Sequence, residues 1–132
     1  MDDVINVAGH RLSTGEMEQV VATHPDVAEC AVIAVPDELK GHVPMALVVL
    51  KAGHGRDEGA VADEVVALVR DQIGAVAALR RVAVVERLPK TRSGKILRAA
   101  MRTIAEGGEV EIPSTIEDPA VLDRIRTTLL AP

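Results

Sequence analysis

Two long apolar runs, separated by only seven residues, constrain the fold of this chain more than any other feature. Residues 27–35 and 43–50 consist mainly of β-branched and small apolar side chains. Pro25 precedes the first run, and Pro36 and Asp37 follow it. Short apolar runs bounded by turn residues are typical of buried strands. We therefore predict two core strands that a short loop joins into an antiparallel pair.

Helical patterns surround this pair. Ser13 and Glu16 match a capping box, and Asp118 is a candidate cap near the end of the chain. The predicted helices cover residues 14–23, 58–73, 95–106 and 119–130, and a third core strand covers 79–85. The predicted fold class is α+β, a small domain with a central sheet of about three strands flanked by helices, plus a short N-terminal hairpin.

The composition limits both the core and the ligands. The 132 residues suffice for one domain, and 48% of them are hydrophobic although the chain has no Phe, Tyr or Trp. The core must therefore be aliphatic, and a nucleotide base has no aromatic platform here and must be held largely elsewhere. Because the net charge is also −5, nucleic-acid binding is the weakest of the functions considered.

The cysteine content and the hydropathy of the sequence indicate the kind of cellular compartment in which the chain works. Cys30 is the single cysteine and lies in an apolar run, which favours a buried thiol and excludes a disulfide within the chain. No run approaches the roughly 20 apolar residues of a membrane span, and no charged-then-apolar leader opens the sequence. We expect a soluble cytoplasmic protein without a membrane partner, and a mitochondrial matrix protein would look the same.

A basic segment, residues 80–102, carries the strongest functional signal. It holds eight Lys or Arg and one acid, Glu86, so its charge is +7 within a chain of −5. Such a local field can focus an anionic ligand onto one face, although a solvated basic face remains open. At its centre stands Leu-Pro-Lys-Thr-Arg-Ser-Gly-Lys, which ends at Lys95.

Lys95 is not part of a Walker motif. That motif requires glycine at the position of Pro89 and Ser or Thr at the position of Ile96. We predict that Lys95 lies in the first turn of the following helix, where the helix dipole and neighbouring arginines disfavour a further cation. Such a lysine would relieve that cost by meeting an anion.

The sequence signals for a metal site or for nucleophilic catalysis are weak. The histidines, at positions 10, 24, 42 and 54, do not follow a metal-site spacing, so we expect no metal and place each at the surface or in a turn. Ser13 and Ser93 have no visible His-acid partners in the sequence, so we do not expect nucleophilic catalysis by this chain.

Two motifs together resemble one family over essentially the whole chain. Residues 2–18 read Asp-Asp-Val-Ile-Asn-Val-Ala-Gly-His-Arg-Leu-Ser-Thr-Gly-Glu-Met-Glu, and residues 89–95 read Pro-Lys-Thr-Arg-Ser-Gly-Lys. In this order and separation they resemble the mobile C-terminal domain of AMP-forming acyl-CoA synthetases, in the acyl-adenylate-forming superfamily. The Gly-His-Arg-Leu-Ser sequence is most similar to the acetyl- and propionyl-CoA synthetase branch. Residues 30–33, 40–50 and 114–119 resemble the propionyl-type members.

The resemblance implies a two-step ligase. A carboxylate and ATP give acyl-AMP and pyrophosphate, after which the small domain rotates and coenzyme A takes the acyl group. Lys95 matches the adenylation lysine. The acyl pocket of the family lies in a large N-terminal domain that this chain lacks, so the isolated domain, residues 1–132, is expected to be inactive. Propionate is the favoured substrate and acetate the next, and magnesium is expected with ATP in the N-terminal domain.

The resemblance also assigns four further residues. Gly9 matches a glycine lining the pantetheine tunnel, although an ordinary hairpin glycine would look the same. Arg11 matches an arginine near the nucleotide phosphates. Arg70 matches one that contacts coenzyme A phosphate, with a plain surface arginine as the alternative. Asp2 matches the hinge position, but Met1 stands where the family has Gly-Arg before it, so we expect no hinge function here.

A second hypothesis concerns modification. In the enzymes that this chain resembles, the adenylation lysine is acylated, so Lys95 is a candidate substrate for a protein lysine acyltransferase and its deacylase. Acylation would remove the charge and stop adenylation.

Overall fold

The computed structural model describes residues 4–7, 10–74 and 79–130. Within these residues strands and helices form a single α+β arrangement. The elements are β1 (Val4–Val7), β2 (His10–Ser13), α1 (Thr14–Ala22), β3 (Val27–Asp37), β4 (Gly41–Leu50), α2 (Glu58–Gln72), β5 (Arg81–Val84), α3 (Arg98–Ala105) and α4 (Pro119–Leu129). The predicted fold class is confirmed, and the third core strand is shorter than the sequence indicated.

Strand β4 is the centre of the sheet. β3 pairs with it antiparallel from Val27 opposite Leu50 to Asp37 opposite Gly41, which confirms the predicted pair. β5 runs parallel to β4, and α2 lies in the long crossover connection that such a parallel pair requires. The hairpin of β1 and β2 reaches β4 where Val7 pairs with Gly41. Because β3 occupies one side of β4 throughout, β1 and β5 share the other side.

Helices cover both faces of the sheet. Ala31 and Ile33 of β3 point into one core, shared with α3 and α4, while Cys30 and Val32 point into a second core, shared with α1 and α2. A strand buried on both faces needs apolar side chains at consecutive positions rather than at alternate ones. This explains the continuous apolar runs of the sequence.

Two predicted caps are confirmed. The Ser13 Oγ accepts the backbone N–H of Glu16 at 3.2 Å, and the Asp118 carboxylate accepts that of Ala120 at 3.0 Å. Each cap satisfies an N–H that has no partner within its helix.

The start of α3 differs from the prediction. This helix begins at Arg98, so Lys95 does not lie in its first turn. Apolar residues Ile96 and Leu97 do continue the helical spacing backwards, but their backbone is engaged in a separate hairpin-like loop. The prediction that Lys95 lies in the first turn and meets the helix dipole there is therefore wrong.

Candidate functional site

Residues 89–97, called the lysine loop below, form a closed turn ahead of α3. The N–H of Leu97 donates to the Pro89 carbonyl at 2.9 Å, and the N–H of Thr91 donates to the Lys95 carbonyl at 2.9 Å. Inside the turn, the N–H of Gly94 donates to the Thr91 carbonyl at 2.9 Å, and that of Lys95 to the Thr91 Oγ1 at 3.1 Å. The backbone on both sides of Lys95 is thus fixed by hydrogen bonds.

A second segment, residues 115–117, holds the lysine loop from outside. Thr91 and Ile116 form an antiparallel bridge, with the Arg92 N–H donating to the Thr115 carbonyl at 2.9 Å. The Glu117 N–H donates to the Lys90 carbonyl at 2.8 Å. Ile116 itself is buried in the core beneath α3 and α4, so the loop is tied to the body of the domain.

Gly94 supplies the backbone conformation that closes the turn. Its φ is +92°, a region that side chains with a Cβ rarely adopt. A Cβ placed there would meet no atom within 4 Å. Glycine is therefore favoured at this position by its backbone freedom, and not by lack of space.

Lys95 is exposed at the tip of this loop. In the part of the chain that the structure describes, no carboxylate pairs with its ammonium. Other cations of the basic segment are paired with acids: Arg87 with Glu117 and Asp118, Lys90 with Glu29, and Arg98 with Glu18. The segment is therefore less positive than its +7 indicates, and its charge is concentrated at fewer positions.

Two acids that the sequence reasoning missed flank the lysine loop. Glu18 of α1 binds Arg98, with 2.8 Å between Arg98 Nε and Glu18 Oε1 and 2.8 Å between Arg98 Nη2 and Glu18 Oε2. Glu29 of β3 binds Lys90. These pairs join residues 80 and 61 positions apart, so no local spacing signal could have found them.

Of the remaining predicted site residues, the structure describes Arg70 in full and Arg11 through its backbone. Arg70 is exposed in the last turn of α2, which packs on the opposite face of the sheet from α3. Arg11 lies in β2, where its backbone pairs with Asn6. Asp2 and Gly9 lie outside the described residues.

His24 and Cys30 are buried groups. The prediction placed His24 in a turn, which is correct, but its ring is only 6% exposed. Its Nδ1 accepts the Asp26 N–H at 3.1 Å, so Nε2 carries the proton that is shared with Glu64 at 2.8 Å. Burial, reinforced by the charge of Glu18, raises the pKa of the Cys30 thiol to about 11.

The described residues contain neither a cluster suited to a metal ion nor a helix suited to a membrane. Within the described ranges, no group of three or more His, Cys, Asp or Glu side chains could hold a metal ion. No helix there combines the length and apolarity that a bilayer crossing requires.

Comparisons with known proteins agree on one family. The model of the AMP-binding enzyme C-terminal domain matches residues 16–95. The human protein acyl-CoA synthetase short-chain family member 3, mitochondrial, is 50% identical over 98% of this chain and 19% of its own length. The propionate–CoA ligase of Escherichia coli is 47% identical over 97% of this chain and 21% of its own length.

A solved structure shows the same fold. The crystal structure of an acyl-CoA synthetase from Brucella canis superimposes with a TM-score of 0.72 at 35% identity, over 80% of this chain and 19% of the other. The chain thus spans about a fifth of the length of the proteins it matches. Motifs, fold and relatives agree that this chain belongs to the family of AMP-binding enzyme C-terminal domains.

Proposed function

We propose that residues 1–132 act as the mobile C-terminal domain of a short-chain acyl-CoA synthetase, delivering Lys95 to a site formed by a large N-terminal domain. The observation that carries this proposal is the lysine loop. Its backbone is fixed by hydrogen bonds, yet the Lys95 ammonium projects from it exposed and without a carboxylate partner among the described residues. A cation held in this way is available to an anionic group outside the domain.

The proposed chemistry of Lys95 is electrostatic. In the first half-reaction, a carboxylate oxygen attacks the α-phosphate of ATP, pyrophosphate leaves, and acyl-AMP forms. Both reacting groups are anionic, so an ammonium between them offsets their repulsion and the charge that develops on the phosphate oxygens. Lysine suits a group that must arrive and leave, because its charge is compact and its stem is flexible.

The second half-reaction would use another face of the domain. After rotation, the thiol of coenzyme A attacks the acyl carbon and AMP leaves. We assign Gly9 to the pantetheine path, Arg11 to the nucleotide phosphates and Arg70 to a coenzyme A phosphate. The exposed position of Arg70, on the opposite face of the sheet from α3, supports a role in a different conformation from that of Lys95. We retain Asp2 as the residue at the hinge position without assigning it a function.

Propionate is our favoured substrate and acetate the next. The Escherichia coli relative is a propionate–CoA ligase, and 97% of this chain aligns with it. The acyl pocket and the magnesium ion that accompanies ATP would belong to the N-terminal domain. We place the parent enzyme in the cytoplasm, or in the mitochondrial matrix if it is eukaryotic.

The test is a chimera in which this chain replaces the matching fifth of the Escherichia coli propionate–CoA ligase. With propionate it should support ATP–pyrophosphate exchange, and Lys95→Ala should lower that rate about 10²–10³-fold, as loss of one transition-state donor does. Lys51→Ala, which removes an exposed lysine beyond β4, is the matched control and should retain the rate. Equal exchange by the Lys95 and Lys51 variants would refute the role of Lys95.

Reversible acylation of Lys95 is a second candidate function. The exposure of Lys95 favours it, because an acyltransferase needs an accessible amine. Lys90, five positions earlier, provides a control within the same loop, since its ammonium is held by Glu29. After incubation with a protein lysine acyltransferase and acyl-CoA, mass spectrometry should find the adduct on Lys95 and not on Lys90. Removal by a deacylase should restore the original mass, and a chain left unmodified at Lys95 would contradict this candidate.

A further inference from the structure

The carboxylate of Glu18, from α1, lies against the free edge of β3. Among the described residues, β3 pairs with β4 alone, so alternate N–H groups along its outer edge have no strand partner. Glu18 Oε1 accepts one of them, the N–H of Val32, at 2.8 Å. The Glu18 side chain is only 17% exposed, and its position in α1 is fixed by the core beneath it.

The same carboxylate holds the start of α3. Arg98 donates to both oxygens of Glu18 through a two-pronged contact, each N–O distance being 2.8 Å. Such bidentate pairs define direction as well as distance. Leu97, at the N-cap of α3, makes no side-chain cap hydrogen bond, so Arg98 provides the side-chain anchor at this helix end. Arg98 follows Lys95 by three residues.

The other limb of the lysine loop is anchored to the same strand. Lys90 binds Glu29, which lies on β3 three residues before Val32. Both limbs of the loop are therefore attached by ion pairs to one edge of the sheet and the helix that covers it. Lys95 lies between the two attachment points.

We propose that Glu18, through Arg98, is a positioning residue that sets where the Lys95 ammonium stands relative to the domain, with Glu29 and Lys90 fixing the opposite limb. This inference rests on the proposed function, since it assumes that Lys95 acts in adenylation. A displacement of about 1 Å caused by a change away from the reacting atoms can lower a rate about 10²-fold. The Glu18 carboxylate is therefore expected to affect adenylation without touching a substrate.

The first test is a pair of half-reactions in the chimera described above. Glu18→Gln keeps an oxygen for the Val32 N–H but loses the charge that binds Arg98. It should lower ATP–pyrophosphate exchange about 10-fold or more, while transfer from synthetic propionyl-AMP to coenzyme A is retained. Arg98→Gln should have the same effect, and the double variant should be no slower than either single variant because both remove one contact. Glu64→Gln, which breaks an ion pair on α2, is the control and should leave both half-reactions unchanged.

The second test uses the 132-residue chain and does not depend on activity. Glu18→Gln should accelerate amide hydrogen exchange of Thr91 and Leu97, whose N–H groups close the lysine loop, while that of Ile73 after α2 is unchanged. Unchanged exchange at the loop, or equal loss of both half-reactions, would overturn the inference. If the unsubstituted chimera lacks ATP–pyrophosphate exchange while Glu18→Gln still loosens the loop, the proposed function fails and the anchoring stands alone.

Discussion

Substitution of Gly94 by alanine tests whether the closed form of the lysine loop is needed. At a φ of +92° an alanine is strained, and left-handed backbone costs a residue with a Cβ about 1–2 kcal/mol. Alanine also restricts the unfolded chain, which returns about 0.4–1 kcal/mol. Because an added Cβ meets no atom within 4 Å, no steric cost is added. The free energy of unfolding should therefore fall by about 1 kcal/mol.

The loop can also relieve this strain by opening. Two of the hydrogen bonds that close the loop are made to Thr91, by the N–H groups of Gly94 and Lys95, and each contributes about 0.5–1.5 kcal/mol net. The strain and the turn hydrogen bonds are thus of similar size. We expect the alanine variant to populate open loops to a substantial extent, and ATP–pyrophosphate exchange in the chimera to fall more than stability alone requires.

Gly107 provides the matched control. It follows α3 at a φ of +81°, also with no atom within 4 Å of an added Cβ, but it lies outside the lysine loop. Urea unfolding should show similar losses of stability for Gly94→Ala and Gly107→Ala, whereas only the Gly94 variant should lose adenylation. Equal exchange rates in the two variants would refute the claim that the closed loop positions Lys95.

Three further predictions concern the rest of the domain. Hydrogen bonds from Arg56 and, to a smaller extent, from His24 lower the pKa of Glu64 to about 2, so the ionised carboxylate stabilises the fold above the unfolded pKa near 4.5 and loses this effect as pH falls towards 2. In urea titrations the difference in free energy of unfolding between wild type and Glu64→Gln should shrink over that pH range, and a constant difference would contradict the prediction. Cys30, with its pKa raised to about 11, should resist iodoacetamide at pH 8 in the native chain and react in urea, and equal labelling rates would contradict its burial. Met101→Ala should cost about 2–5 kcal/mol, since its side chain is fully buried between the sheet and α4, and a loss below about 1 kcal/mol would mean that this core is loosely packed.

Much of the fold could be predicted because its signals are local. Ser13 and Asp118 mark helix starts through contacts two or three residues away, and the apolar runs report burial on both faces. The start of α3 could not be predicted in this way. Ile96 and Leu97 follow the helical period, but their backbone is engaged by Lys90 and Pro89 in a loop that the bridge between Thr91 and Ile116, 25 positions apart, ties to the domain.

The candidate site, like the fold, could be predicted only where its signal is local in the sequence. Lys95 is identifiable because it stands at the end of a specific motif, and the structure places it exposed on a fixed loop. Glu18 lies in the first motif as well, but its partners Val32 and Arg98 are distant in sequence and follow no period. The charge of the basic segment was overestimated for the same reason, because the acids that neutralise it come from α1, β3 and the segment before α4.

We propose that the lysine loop delivers Lys95 to the adenylation half-reaction alone. The most direct measurement compares both half-reactions of Lys95→Ala in the propionate–CoA ligase chimera. We predict that ATP–pyrophosphate exchange falls about 10²–10³-fold, while synthesis of propionyl-CoA from propionyl-AMP and coenzyme A continues at the rate of the unsubstituted chimera. Loss of both half-reactions to the same extent, or of neither, would contradict it.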